Sequence, residues 1–157
     1  MGTTTKSQYE TDFAAWADEQ AAALRAGRLD EVELENVAEE IEGLARAERK
    51  AVRLQLQRLM MHLLKHKIQP ERAGKSWQNS IASARDEILD DFYDSPSLRR
   101  HLKDSLERVY RRAVTEALQE TGLEEHREEL PEHCPWNLEE LLSGEMNVLI
   151  RAGARQH

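Results

Sequence analysis

The side chains best suited to chemistry fall in one short stretch, residues 62–85. His62 and His66 are four residues apart, so both imidazoles project from one face of a helix, a spacing that suits chelation of a divalent metal. Two ligands do not complete a metal site, and the sequence has neither an HExxH pattern nor a glutamate three residues before either histidine. We therefore expect no metal and no other cofactor, with the pair His62 and His66 as the alternative.

A second arrangement in the same stretch suits a small ligand. Trp77 could stack against it, Arg85 could bind an anion, and His62 could carry a proton near neutral pH. Structural roles compete with this interpretation, because a tryptophan can close the end of a core and an arginine can pair with an acidic neighbour. No residue is predicted to be catalytic. The candidate binding residues are His62, Lys65, Ser76, Trp77 and Arg85, with Gln69 in the same region.

Motifs of the common catalytic classes are missing. The sequence has no phosphate loop, no dinucleotide-binding glycine pattern and no Gly-x-Ser-x-Gly elbow. The single cysteine, Cys134, has only His133 as a basic sequence neighbour, so a packing role beside Trp136 is favoured over a nucleophile. One cysteine cannot form an intrachain disulfide, which fits a reducing compartment.

The charge balance restricts the class of partner. A formal net charge of −8 means that the whole molecule would be repelled by DNA and by an anionic membrane. No segment has the layout of a signal peptide or the run of about 20 apolar residues that crosses a bilayer. We expect a soluble cytoplasmic protein, with nucleic-acid binding through the basic face of residues 99–112 as a third hypothesis.

One long helix is predicted to position the candidate site. Apolar residues recur at steps of three and four through residues 31–68, and no alternating strand pattern competes with this period. A capping box formed by Asp30 and Glu33 predicts its start, and Pro70 predicts its end. Gly43 and the weakly apolar residues 45–51 predict a bend or break. The predicted buried face comprises Leu34, Val37, Ile41, Leu44, Val52, Leu56, Leu59 and Leu63.

The remaining pattern predicts an all-α fold, an up-and-down bundle of four main helices with the long one second. The other three cover about residues 8–26, 76–93 and 96–121, and a short C-terminal helix follows Asn137. The short turn after Pro70 predicts an antiparallel return that places Trp77 opposite His66. We expect disorder in residues 1–6, one domain in residues 7–143, and a tail in residues 144–157.

Several segments stand out by their order and spacing: YETDFAAW (9–16), LRAG (24–27), ELENVAEEIEGL (33–44), HLLKHKIQP (62–70), SW (76–77), DSPSL (94–98) and CPW (134–136). Together they resemble the bacterial domain of unknown function 29 over about residues 8–143. The resemblance implies an all-helical, bacterial, cytoplasmic protein and implies no activity. It includes His62 and Trp77, but His66 and Lys67 depart from the aromatic residue and glutamine that are commoner there.

The sequence therefore predicts a non-enzymatic module that presents a charged helical face or the Trp77 end to an unknown protein partner. The alternative is a small-ligand or metal-binding protein, or an enzyme, that uses His62, Trp77 and Arg85. Homo-oligomerisation stays open.

Overall fold

Residues 7–153 are described by the structure, a computed structural model, and they contain helices and no strand. This confirms the predicted all-α class. The predicted disorder of residues 1–6 lies outside the described residues. The α-helices are α1 (Gln8–Thr11), α2 (Phe13–Ala26), α3 (Leu34–Ile68), α4 (Lys75–Asp94), α5 (Ser97–Thr121), α6 (Leu138–Ser143) and α7 (Met146–Ala152), and 3₁₀ turns occupy Leu29–Glu31, Pro70–Arg72 and Glu124–Glu129.

The chain divides into two compact units, Met1–Ala47 and Glu48–His157, and the boundary lies within α3. Of the two alternatives predicted near Gly43, the break is wrong because α3 is one continuous helix, and the bend stays a prediction. Glycine in a helix interior costs about 1 kcal/mol relative to alanine. Ion pairs that span the glycine offset part of this cost, since the Arg46 guanidinium lies 2.9 Å from the Glu39 carboxylate and 3.8 Å from that of Glu42.

In the first unit, α1 and α2 make hydrogen bonds to Glu33, just before α3, and to Glu40 within it. The buried Trp16 donates its indole N–H to the Glu33 carboxylate at 2.6 Å, and the Gln20 side chain accepts from the Glu33 backbone N–H at 2.8 Å. Tyr9 of α1 donates its hydroxyl to Glu40, about two helical turns beyond Glu33. Hydrogen bonds to glutamates therefore hold these helices together where an apolar seam was expected.

Most of the first half of the predicted buried face is exposed, although Val37 is half-buried. Leu34 is 68%, Ile41 62% and Leu44 71% exposed, so their predicted burial is wrong. These three residues, called the apolar row below, lie at i, i+7 and i+10 on one helix face. With a rise of 1.5 Å per residue the row is about 15 Å long.

Helix starts and ends were predicted with mixed success. Gly27 and Gly122 end α2 and α5 at φ 71° and 70°, the left-handed conformation expected of a C-terminal glycine. The capping box of Asn137 and Glu140 is present at α6. The predicted capping box of Asp30 and Glu33 is wrong, because Asp30 lies within the 3₁₀ turn Leu29–Glu31 and α3 begins only at Leu34. Asp12 caps α2 by accepting from the Ala15 N–H at 3.2 Å.

In the second unit, the apolar face of α3 from Val52 to Ile68 packs with α4, α5 and the C-terminal segment around one core. Residues 146–152, predicted to be a tail, form α7. Its Leu149 is buried in the core, and the Leu149 carbonyl accepts a hydrogen bond from the Trp136 indole at 2.8 Å. The helix was not predicted because seven residues with one fully buried anchor give little periodicity.

Candidate functional site

The end of α3 and the start of α4 bring four predicted residues together. The His66 ring meets the Trp77 indole edge-on with centroids 5.2 Å apart, and the His62 ring lies 6.3 Å from the same indole. The Lys65 ammonium sits 4.7 Å above the Trp77 ring. The short turn after Pro70 therefore produces the predicted antiparallel pairing, and we call these four residues the Trp77 cluster.

Burial keeps the two histidines of the Trp77 cluster neutral. It lowers the pKa of His62 to about 4, assisted by the neighbouring Lys65, and it also lowers the pKa of His66. Both imidazoles are therefore neutral at pH 7, which argues against His62 as a proton carrier near neutral pH. His62 Nδ1 and His66 Nε2 are buried and make no hydrogen bond to any described residue.

Lys65 already has partners inside the protein. Its ammonium lies 3.0 Å from the Glu120 carboxylate of α5 while it covers the Trp77 ring, and its side chain is largely buried. The Trp77 cluster therefore joins α3, α4 and α5. Among residues 7–153 no group of three or more His, Cys, Asp or Glu side chains is arranged to hold a metal ion.

Arg85 is not brought to the Trp77 cluster. It follows Trp77 by eight residues on α4, which places its backbone about 12 Å along the helix. Its guanidinium donates to the Leu141 carbonyl at 2.8 Å and to the Gly144 carbonyl at 2.7 Å, and burial lowers its pKa. Arg85 thus binds the carboxyl end of α6. Ser76 is exposed, and its ligand-binding role stays a prediction.

Cys134 lies against the core beside Trp136, as expected. Its thiol donates to the Trp136 carbonyl at 3.3 Å, and its backbone N–H donates to Glu107 at 2.9 Å. Burial raises the pKa of the thiol to about 11, so it is protonated at neutral pH. A protonated, half-buried thiol is a poor nucleophile.

A basic cleft between α3 and α5 was not predicted from the sequence. Its cavity has a volume of about 220 Å³. The basic residues of α5 were predicted to form a face, but the cations of α3 that lie opposite were not predicted to join them. Their spacing at i, i+1 and i+4 from Arg49 was the available signal. The residues that line the cleft are Lys50, Arg53, Leu54, Gln57, Arg108, Val109 and Arg112.

Comparison with known proteins identifies the family and adds no activity. The family model described as Domain of unknown function DUF29 matches residues 8–146, which confirms the resemblance noted in the sequence. No curated protein and no solved structure matches the chain. Within residues 7–153, no helix has the length and apolar character needed to cross a membrane.

Proposed function

This chain belongs to the DUF29 family, a domain of unknown function, and we propose that it is a non-enzymatic protein-interaction module. In this proposal the apolar row of α3 docks a basic amphipathic helix of a partner protein. The observation that carries the proposal is the exposure of Leu34, Ile41 and Leu44 on a helix whose second half is buried.

The spacing of the apolar row suits a helical partner. Large apolar side chains grouped on a helix face are uncommon on monomeric proteins, and such groups mark interaction sites. A length of about 15 Å matches roughly three turns of an opposing helix, which would present its own apolar residues at i, i+3, i+4 and i+7. The exposed Leu29 and Leu24 of the same unit add apolar surface.

Charge selects the chemistry of that partner. Residues 7–47 contain eleven Asp and Glu against three Arg and no Lys, a formal net charge of −8. Two copies of this face would bring like charges together, which disfavours a symmetric pair. A helix with lysine and arginine beside its apolar face would instead be attracted, so we expect a basic partner.

We also infer that the protein acts in the bacterial cytoplasm. The family resemblance implies this compartment, and the single cysteine supports it because the chain needs no intrachain disulfide.

A synthetic amphipathic helix built from leucine and lysine tests the proposal. We expect its fluorescence anisotropy to rise saturably when the full chain is added. The double variant Ile41→Ser, Leu44→Ser should bind about tenfold more weakly or worse, because each lost anchor is worth about 1 kcal/mol or more.

Two controls accompany this titration. Leu89→Ser removes an exposed leucine from α4 and should leave affinity unchanged, and a helix of leucine and glutamate should not bind. Equal affinity of the double variant and the original chain would overturn the proposal, as would a complete lack of binding. If sedimentation shows that the original chain is a dimer and the double variant a monomer, the apolar row binds a second copy of the chain instead.

A further inference from the structure

The basic cleft collects cations from two helices of the second unit. Lys50 and Arg53 of α3 line it together with Arg108 and Arg112 of α5. Arg49 does not line the cleft but lies close enough to act on Arg53 electrostatically. The cations considered below are these five.

None of these cations forms an ion pair with a carboxylate of residues 7–153, whereas Arg46, Arg99 and Arg127 each do. The neighbouring Glu116 accepts a hydrogen bond from Gln57 at 2.6 Å. Asp104 acts on His101 at the edge of the cluster. The positive charge of the cleft is thus left largely unbalanced.

The cations act on one another. Partial burial lowers the pKa of Arg53, and the charges of Arg108, Arg112 and Arg49 lower it further. Arg53 also points a guanidinium N–H at His101 Nε2, 2.9 Å away. Burial and the neighbouring Arg53 lower the pKa of His101, so a neutral imidazole accepts this hydrogen bond and orients the guanidinium.

The size and the cations of the cleft restrict the class of ligand that it can bind. A volume of about 220 Å³ is below the roughly 300–1,000 Å³ of pockets for drug-sized molecules. Guanidinium groups match phosphate oxygens with two parallel hydrogen bonds, and a lysine adds a point charge. A shallower groove of about 460 Å³ shares Leu54, Gln57 and Arg112 and continues along α5 past Thr115 to Gln119. It could receive the remainder of a larger ligand.

We propose that the basic cleft binds the diphosphate or triphosphate group of a small ligand. Inorganic diphosphate and a nucleoside triphosphate share this chemistry. The residues of the cleft belong to the second unit and those of the apolar row to the first. An experiment that overturns one of the two proposals therefore leaves the other unaffected.

Calorimetric titration of the full chain with inorganic diphosphate tests this assignment. We expect one saturable site, whose affinity falls as salt is added because charge dominates the interaction. The variant Arg53→Gln, Arg108→Gln should lose about tenfold or more in affinity. Its melting temperature should not fall, since the change removes two like charges; the melting curve thus shows that the variant is folded.

The matched control is Arg100→Gln, which neutralises an exposed arginine of α5 outside the cleft. It should bind as the original chain does. Titrations with inorganic triphosphate and with ATP separate the sources, because both carry three phosphates: equal affinity means that the phosphates alone are recognised, and tighter binding of ATP means that the groove toward Gln119 adds contacts. Each result supports the assignment.

Three results would overturn it: no diphosphate binding at low salt, equal losses in Arg100→Gln and the double variant, or single-stranded RNA bound more tightly than ATP with affinity that grows with strand length. The last result would identify a nucleic-acid surface instead of a small-ligand site.

Discussion

Leu59→Ala is expected to lower the free energy of unfolding by about 2–5 kcal/mol, the range for removing a leucine side chain from a packed core. Leu59 is 0% exposed and lies in the core where the second half of α3 meets the rest of its unit. The loss combines the transfer free energy of the removed carbons with the cavity that they leave. Urea denaturation followed by circular dichroism measures it.

The matched control lies on the same predicted stripe. Leu34→Ala makes the same chemical change on α3, but Leu34 is exposed, so we expect its effect to stay within about 0.5 kcal/mol. Comparable losses in the two variants would mean that Leu34 is buried, contrary to the structure.

Arg85→Ala is expected to have the second large effect, lowering the free energy of unfolding by about 3 kcal/mol. Hydrogen bonds from charged groups contribute about 1.5–3 kcal/mol each, and Arg85 makes two of them to the Leu141 and Gly144 carbonyls. Its removal leaves both carbonyls without that donor and loosens the attachment of α6 to α4. The melting temperature and the urea midpoint should both fall.

Arg85→Lys tests whether the two hydrogen bonds, and not the positive charge alone, stabilise the protein. A lysine keeps the charge but lacks the planar fork that reaches two carbonyls, so we expect only partial recovery. Arg100→Ala, an exposed arginine on α5, should change stability by less than about 0.5 kcal/mol. A negligible effect of Arg85→Ala would show that these hydrogen bonds do not hold the C-terminal segment.

Helix positions were predictable because their signals are local. The periods of α4 and α5, the αL glycines at Gly27 and Gly122, and the capping box of Asn137 each depend on residues within a few positions of one another. The contacts of α2 with the residue before α3 were not predictable. They are hydrogen bonds from Trp16 and Gln20 to the Glu33 carboxylate, and such polar contacts have no period.

Only the local contacts of the candidate site were predictable from the sequence. The approach of His66 to Trp77 follows from a short turn, so the sequence was sufficient to predict it. Arg85 was expected near Trp77, but its partners Leu141 and Gly144 lie more than fifty residues away in the chain. Only the folded structure shows that pairing. The basic cleft likewise requires knowing which faces of α3 and α5 meet.

The central claim is that one apolar stripe of α3 serves as core in its second half and as an exposed docking surface in its first. Thiol labelling tests it most directly, using Ile41→Cys and Leu59→Cys in chains that also carry Cys134→Ser. We predict that the Ile41→Cys thiol reacts nearly as fast as in urea and is protected by the leucine–lysine helix, while Leu59→Cys reacts at least about a hundredfold more slowly. Equal protection of both thiols in the unbound chain would contradict the claim.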